Sequence, residues 1–237
     1  MEKVWKPVPD VEELKYHGTP EKPDIKIFVS HRIDLDSETI DNPLYIPVRC
    51  GAVYDERENV TMLGDDTGDN ISEKRMSYCE LTVQYWAWKN IKADYYGLCH
   101  YRRYLSFSDK LYKVHTDDNK SGLVTFNSIK EAINKCCLNQ IEKIKNTINQ
   151  YDIITIQTFD ESKVGNASIY DMLKSDFMHY DIKIVDQLTH KVKDMFPEIY
   201  PYLVQYWKQK NARLFNLFIA KKCYFEEFCK FEFSVLF

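Results

Sequence analysis

The stretch Asp94–Leu105 reads DYYGLCHYRRYL. Its apolar run, Tyr95-Tyr96-Gly97-Leu98-Cys99, stops abruptly at His100, Arg102 and Arg103. A short apolar run of this kind fits a buried strand. A strand that runs into polar groups is where an open α/β sheet places its ligand. Tyr95–Cys99 therefore reads as a central strand, and His100–Tyr104 as its site-facing end. Arginine forms forked, charge-assisted bonds to phosphate, and histidine adds a donor. The cluster suits a diphosphate or another small anion. The competing reading pairs the arginines with core carboxylates and leaves His100 simply hydrogen-bonded. Three strong donors at one buried strand end are costly to satisfy that way, which favours a ligand.

Upstream, Thr61–Ser72 reads TMLGDDTGDNIS, dense in Asp, Gly and Asn and without apolar period, hence a loop. Asn70 or Ser72 can cap the helix expected over Glu73–Lys89. Tyr78, Leu81, Thr82, Tyr85 and Trp88 give that helix one buried face. Trp86 and its aromatic neighbours read mainly as core, with one of them able to stack on a base or sugar ring. Glu80 is a candidate buried carboxylate, although an exposed helix glutamate is the commoner case. Loop, helix and strand form one unit, which brings the Asp loop to the same side of the sheet as His100. Asp65, Asp66 and Asp69 can bind a divalent cation or accept from sugar hydroxyls. Turn chemistry with a helix cap explains them equally well. They match no EF-hand spacing.

Further upstream, Ile25–Val29 is a first strand, and Ser30-His31-Arg32 is a second site-facing end. Asp34-Leu35-Asp36 is a lone D-x-D, read as solvated loop. Leu44–Arg49 is an extended piece that Pro47 consigns to an edge. Residues 1–24 are an irregular lead-in with a short helix at Val11–Tyr16. Downstream, Ser106–Gly122 is irregular and Val124–Phe126 a short strand. Ser128–Gln150 is a helix, Tyr151–Thr158 a strand and Phe159–Asn166 a polar loop. Ser168–Ser175 and Asp181–Met195 are helices, the second closed by Pro197, and another begins at Pro201. Arg213–Ala220 is a strand with Asn216 buried inside it, and Cys223–Phe237 a final helix.

The 237 residues suffice for one α/β domain with a sizeable core, or at most two small ones, and the net charge of -4 supplies no field for gripping nucleic acid. Seven cysteines, an odd number with no C-x-x-C, read as free thiols in a reducing compartment rather than a zinc site. The first residues lack the apolar segment of a signal peptide, and no window resembles a membrane span. A cytoplasmic protein is expected, with at most a peripheral attachment to the membrane's inner face. The absence of G-x-G-x-x-G, G-x-x-x-x-G-K-[ST] and G-x-S-x-G disfavours Rossmann dinucleotide binding, P-loop chemistry and α/β-hydrolase chemistry.

The segments KIFVSHR, LGDDTGDNISEK, YCELTVQYWAWKN, DYYGLCHYRRYL and LFNLFIAKK occur in this order along the chain. Together they resemble the bacterial capsular and exopolysaccharide glycosyltransferases catalogued as DUF4422, from about Ile25 to Phe237. The resemblance implies a single GT-A-like α/β domain over 25–237, with a mostly parallel central sheet flanked by helices. It implies transfer of a hexose from a UDP-sugar, such as UDP-galactose or UDP-galactofuranose, to a glycan or lipid-linked acceptor. The motif positions it carries over are His31, Asp65, Asp66, Asp69, Asn70, Glu80, His100, Arg102, Arg103 and Asn216. Asp66, Asp69 and Glu80 are candidate general bases. The others, with Arg32, are candidate donor-binding residues.

In the GT-A architecture a D-x-D usually ends the central strand and holds a metal on the donor diphosphate. Here that strand ends in His100-Tyr101-Arg102, so a cation pair is expected to do the neutralising, with weak metal dependence. A manganese or magnesium ion on the Asp loop is the alternative. Members of the family usually continue past the helix that here reaches Phe237, so a shortened acceptor side is expected. A non-catalytic sugar- or nucleotide-binding protein on the same fold is the competing function.

Overall fold

The computed structural model describes residues 14–57, 60–110, 124–175 and 181–237. Eight described strands run β1 Ile25–Arg32, β2 Tyr45–Cys50, β3 Leu63–Gly64, β4 Tyr95–His100, β5 Ile153–Thr155, β6 Phe159–Asp160, β7 Asn211–Ala212 and β8 Phe218–Lys221. The α-helices are α1 Arg75–Tyr78, α2 Leu81–Asn90, α3 Ile129–Lys135, α4 Ile141–Ile148, α5 Ile169–Lys174, α6 Ile182–Met195, α7 Tyr200–Trp207 and α8 Lys222–Leu236.

Six strands form a mixed sheet in the order β3-β2-β1-β4-β8-β5. β3, β2, β1 and β4 are mutually parallel, and β8 runs antiparallel to both of its neighbours. Strands covered on both faces read as continuous apolar runs. β1 is buried from Ile25 to His31, and β4 from Tyr95 to Cys99. Gly97 lies where these two strands and β8 pack most closely. A Cβ there would come 3.0 Å from side-chain carbons of both Ile27 and Ile219. Phe28 meets the edge of the fully buried Trp86 at 6.0 Å, and Tyr96 stacks on Phe225 at 4.3 Å. Each such buried ring contributes about 2 kcal/mol by area alone.

The structure redraws several expected elements. The helix over Glu73–Lys89 is broken: a 3-10 turn at Ser72–Lys74 leads into α1, and Cys79 at φ 46 separates α1 from α2. α2 is then buried on every side from Thr82 to Ala87, not along one stripe. The helix over Ser128–Gln150 is likewise two, α3 and α4, parted where Cys137 takes φ 58. β2 is an internal strand despite Pro47. β3 is two residues long and meets β2 only at Val48 and Arg49, so Pro47 forfeits no ladder bond on that side. Val124–Phe126 is not a strand, and β5 is shorter than Tyr151–Thr158. β8 begins only at Phe218, which leaves Asn216 half-buried in the segment before it. Of the helix expected at Val11–Tyr16, residues 11–13 lie outside the described residues. So does 111–122 of the loop expected at Ser106–Gly122.

The chain falls into two compact units. The first takes in Met1–Lys110, Phe126–Thr155 and Asn216–Cys229, and carries the six-stranded sheet; the second takes in Leu111–Thr125, Ile156–Phe215 and Lys230–Phe237, in each case for the described residues within those bounds. The second is helical, with α5, α6, α7 and the two-stranded β6–β7 ladder. Among the described residues no helix is long and apolar enough to cross a membrane.

Candidate functional site

From β1 the chain builds outward through β2 to β3, then returns by α2 to β4 on the other flank of β1. The strand order reverses between β1 and β4. The chain leaves their carboxyl ends toward opposite flanks of the sheet, and such a switch point is the usual place for a ligand crevice in an α/β sheet. The register places Ser30 beside His100, so both site-facing ends read from the sequence meet at this point. Tyr101 N–H extends the ladder to Ser30 O at 3.0 Å. His100 and Arg103 then exchange backbone bonds of 3.2 and 2.8 Å, a tight reversal with Tyr101 and Arg102 at its tip.

The side chains cluster at tilted angles. The Tyr101 ring lies 4.2 Å from His100 and 6.1 Å from His31. The Arg102 guanidinium sits 5.0 Å above Tyr101, and among the described residues it has no carboxylate partner. Burial pushes the His31 imidazole down to about 4, so it is neutral at neutral pH. Burial, reinforced by Arg103 and Arg102, pushes His100 down to about 4 as well. His100 Nδ1 accepts from Arg102 N–H at 3.3 Å, which leaves the ring proton on Nε2 as a donor. His31 Nδ1 lies 2.6 Å from Ser37 Oγ, while its buried Nε2 has no partner. Buried polar atoms are almost always bonded. An orphaned nitrogen beside a crevice is therefore a mark of ligand chemistry.

Arg32 is held by Asp34 through both oxygens, and Arg75 approaches the same carboxylate at 3.4 Å. The bond from Arg32 brings Asp34 down to about 2. Arg75 also lies across Gly51, which takes φ 71 and has no room for a side chain. The sequence reading gave Arg75 and Tyr101 no role, and it left Asp34 as solvated loop. Arg75 carried a signal nonetheless: a cation in a helix's first turn is disfavoured by the helix dipole.

The Asp loop is divided by function. The Asp65 carboxylate is fully buried and accepts from Gly51 N at 2.9 Å, Ala52 N at 2.9 Å, Ser72 Oγ at 2.5 Å and Thr82 Oγ1 at 2.5 Å. Its bonding capacity is spent on joining the end of β2, the loop and the start of α2. The loop then folds back along α2. Asp69 accepts from Tyr85 at 3.1 Å, and its backbone is bonded to the Asn90 side chain. Asn90 lies eight residues beyond Thr82, about 12 Å along the helix axis. Asp69 is thus drawn toward the far end of α2, away from His100. Asn70 caps the turn, accepting from Ser72 N at 3.2 Å. Asp66 is exposed and unbonded where β3 ends, and Glu80 is half-buried at the start of α2 rather than buried. Asn216 donates to Gln84 at 3.2 Å; extending the β4–β8 register by two residues puts it at His100's edge of the sheet. Among the described residues no three His, Cys, Asp or Glu side chains converge.

The family model described as Domain of unknown function (DUF4422) matches residues 26–237. No curated protein matches. Among solved structures the chain is similar to the apo structure of WbbM, a bifunctional glycosyltransferase, at 29% identity and a TM-score of 0.79. The match covers 90% of this chain and 36% of that one, so the chain spans well under half of its neighbour's length. With a family match across nearly the whole sheet-bearing sequence, the chain belongs to the DUF4422 family.

Proposed function

We propose that the chain is a glycosyltransferase of surface-polysaccharide synthesis, moving a hexosyl group from a nucleoside-diphosphate sugar to a glycan or lipid-linked acceptor. The observation that carries this reading is the Arg102 guanidinium, without a carboxylate partner among the described residues, beside a neutral donor imidazole where β1 and β4 end. A diphosphate supplies the charge and the acceptor atoms that this pair lacks. The likeness to WbbM supports the same reading. UDP-galactose and UDP-galactofuranose are the first donors to test.

In the reaction, the acceptor hydroxyl oxygen bonds to the anomeric carbon as the bond from that carbon to the diphosphate oxygen breaks. The electron pair stays on the departing diphosphate. Arg102, Arg103 and the Nε2–H of His100 bind that oxygen's growing charge, the role a metal plays in the wider architecture. In an inverting course the hydroxyl proton passes to a carboxylate, with Asp66 or Glu80 in the role. His31 and Tyr101 hold the cluster in place. The enzyme works on the cytoplasmic side, attached to the membrane only peripherally.

The test is a panel of nucleotide sugars scored by thermal shift and by release of nucleoside diphosphate, with and without a chelator. A ligand at a hundredfold excess over its dissociation constant raises stability by about 2.7 kcal/mol. Arg102→Ala should cut that shift by about half or more. Binding without release, even with acceptors supplied, returns the chain to a non-catalytic binder. Activity lost to the chelator and restored by manganese removes the cation-pair mechanism.

A further inference from the structure

The strand-end residues described above lie in the sheet-bearing unit; the helical unit contains a groove of about 400 Å³ lined by Ser168, Tyr170, Val204, Trp207 and Lys208. Ligand pockets commonly start at about this size. Its polar atoms are mostly used up. Ser168 caps α5, accepting from Asp171 N at 3.1 Å and donating to Asp171 Oδ2 at 2.7 Å. Tyr170 OH donates to Asp186 Oδ1 at 2.9 Å. Trp207 Nε1 donates to Thr189 Oγ1 at 3.0 Å, and that hydroxyl donates to Val185 O at 2.6 Å. Both aromatic side chains are therefore pinned to α6 by their polar ends. What they leave to line the groove is ring surface in a fixed orientation. Lys208 is exposed at the rim with three ammonium donors and no ion-pair partner among the described residues.

We propose that this groove is a glycan-binding site, where a hexose ring stacks on Trp207 and Tyr170 and Lys208 bonds its hydroxyls. A hexose has one face of C–H groups and a perimeter of hydroxyls. It matches a surface made of locked aromatic planes with a cationic rim. An alkyl chain has no use for the ammonium. A base or peptide side chain would ask for in-plane donors and acceptors, which Ser168, Tyr170 and Trp207 no longer offer. The assignment stands on the groove alone and does not depend on the transferase reading.

Saturation-transfer NMR on the full chain, with decyl β-galactopyranoside and a galactan oligosaccharide as probes and no nucleotide present, tests it. The expected result is saturation of ring C–H protons in both probes. Trp207→Ala should abolish it, Trp207→Phe should retain part of it, and Lys208→Ala should weaken binding several-fold. Circular dichroism and melting curves establish that each variant is folded. Saturation confined to the decyl chain, equal saturation in folded Trp207→Ala, or none from either probe overturns the proposal. The experiment contains no donor, so failure of donor turnover defeats the transferase reading alone and leaves this readout intact.

Discussion

Asp65 and His31 lie on the same side of the sheet, and both are almost wholly buried. They differ in what their polar atoms have found. Asp65 meets four protein donors and has no capacity left. His31 has one partner, Ser37, and a buried nitrogen with none. Apart from the exposed Asp66, the Asp loop follows Asp65: its polar groups close on each other and on α2. The strand-end cluster follows His31, with Arg102 lying over a ring where an ion pair would otherwise be. Polar groups whose partners lie within the protein hold the fold, and those left short are available to a ligand. Burial alone does not separate the two.

The sharpest way to break this contrast is to remove Asp65. Asp65→Ala leaves four donors unpaired around a cavity and should cost about 3–5 kcal/mol of stability, read from urea unfolding. If it instead abolished nucleotide-sugar binding while leaving the urea midpoint in place, Asp65 would belong to the site. Acid comes next. In the unfolded chain His31 titrates near its ordinary 6.5, but in the fold near 4. The unfolded state therefore binds more protons between those values, and stability falls as pH drops through that window. The His31 contribution is about 3 kcal/mol. Unfolding curves between neutral pH and 4 should show that slope, to which His100 adds in the same sense because it too is held at about 4, and His31→Gln should make it shallower without removing it.

Arg102→Ala should lower affinity for a nucleoside diphosphate roughly tenfold to a hundredfold, with the unfolding midpoint unchanged. Calorimetric titration beside a urea curve checks both halves. A loss of stability without a loss of affinity would move Arg102 to the structural side. The smallest effect concerns the link between α1 and α2. Cys79 is exposed at φ 46 and ψ -128, a conformation that glycine takes without strain. Cys79→Gly should raise stability by about 1 kcal/mol, seen as a higher melting temperature with donor affinity unaltered.

The fold was largely legible because its central strands are buried on both faces and so appear as unbroken apolar runs at Ile25–Val29 and Tyr95–Cys99. The meeting of the His31 and His100 ends was legible too, since polar groups closing two such runs have few places to lie. The helix breaks at Cys79 and Cys137 were not. Positive φ at a non-glycine residue leaves no trace in composition. Asp65, Asp66 and Asp69 looked alike in the chain, and only their partners told them apart. Arg75 went unread because its role depends on Asp34, which lies 41 residues away.

From the sequence alone came the α/β class, the two strand ends that carry the cations and the DUF4422 family. These depend on local pattern: apolar period, turn residues and motif order. The tertiary structure decided which polar groups are spent. It tied Asp65 to α2, drew Asp69 toward the far end of that helix, and, among the described residues, left the Arg102 guanidinium without a carboxylate and His31 Nε2 without a hydrogen bond. It also pinned Tyr170 and Trp207 to α6, leaving their rings to line a groove. The physical reason is the same throughout. A side chain's chemistry belongs to the residue, but whether its hydrogen bonds are already made depends on neighbours that only folding supplies.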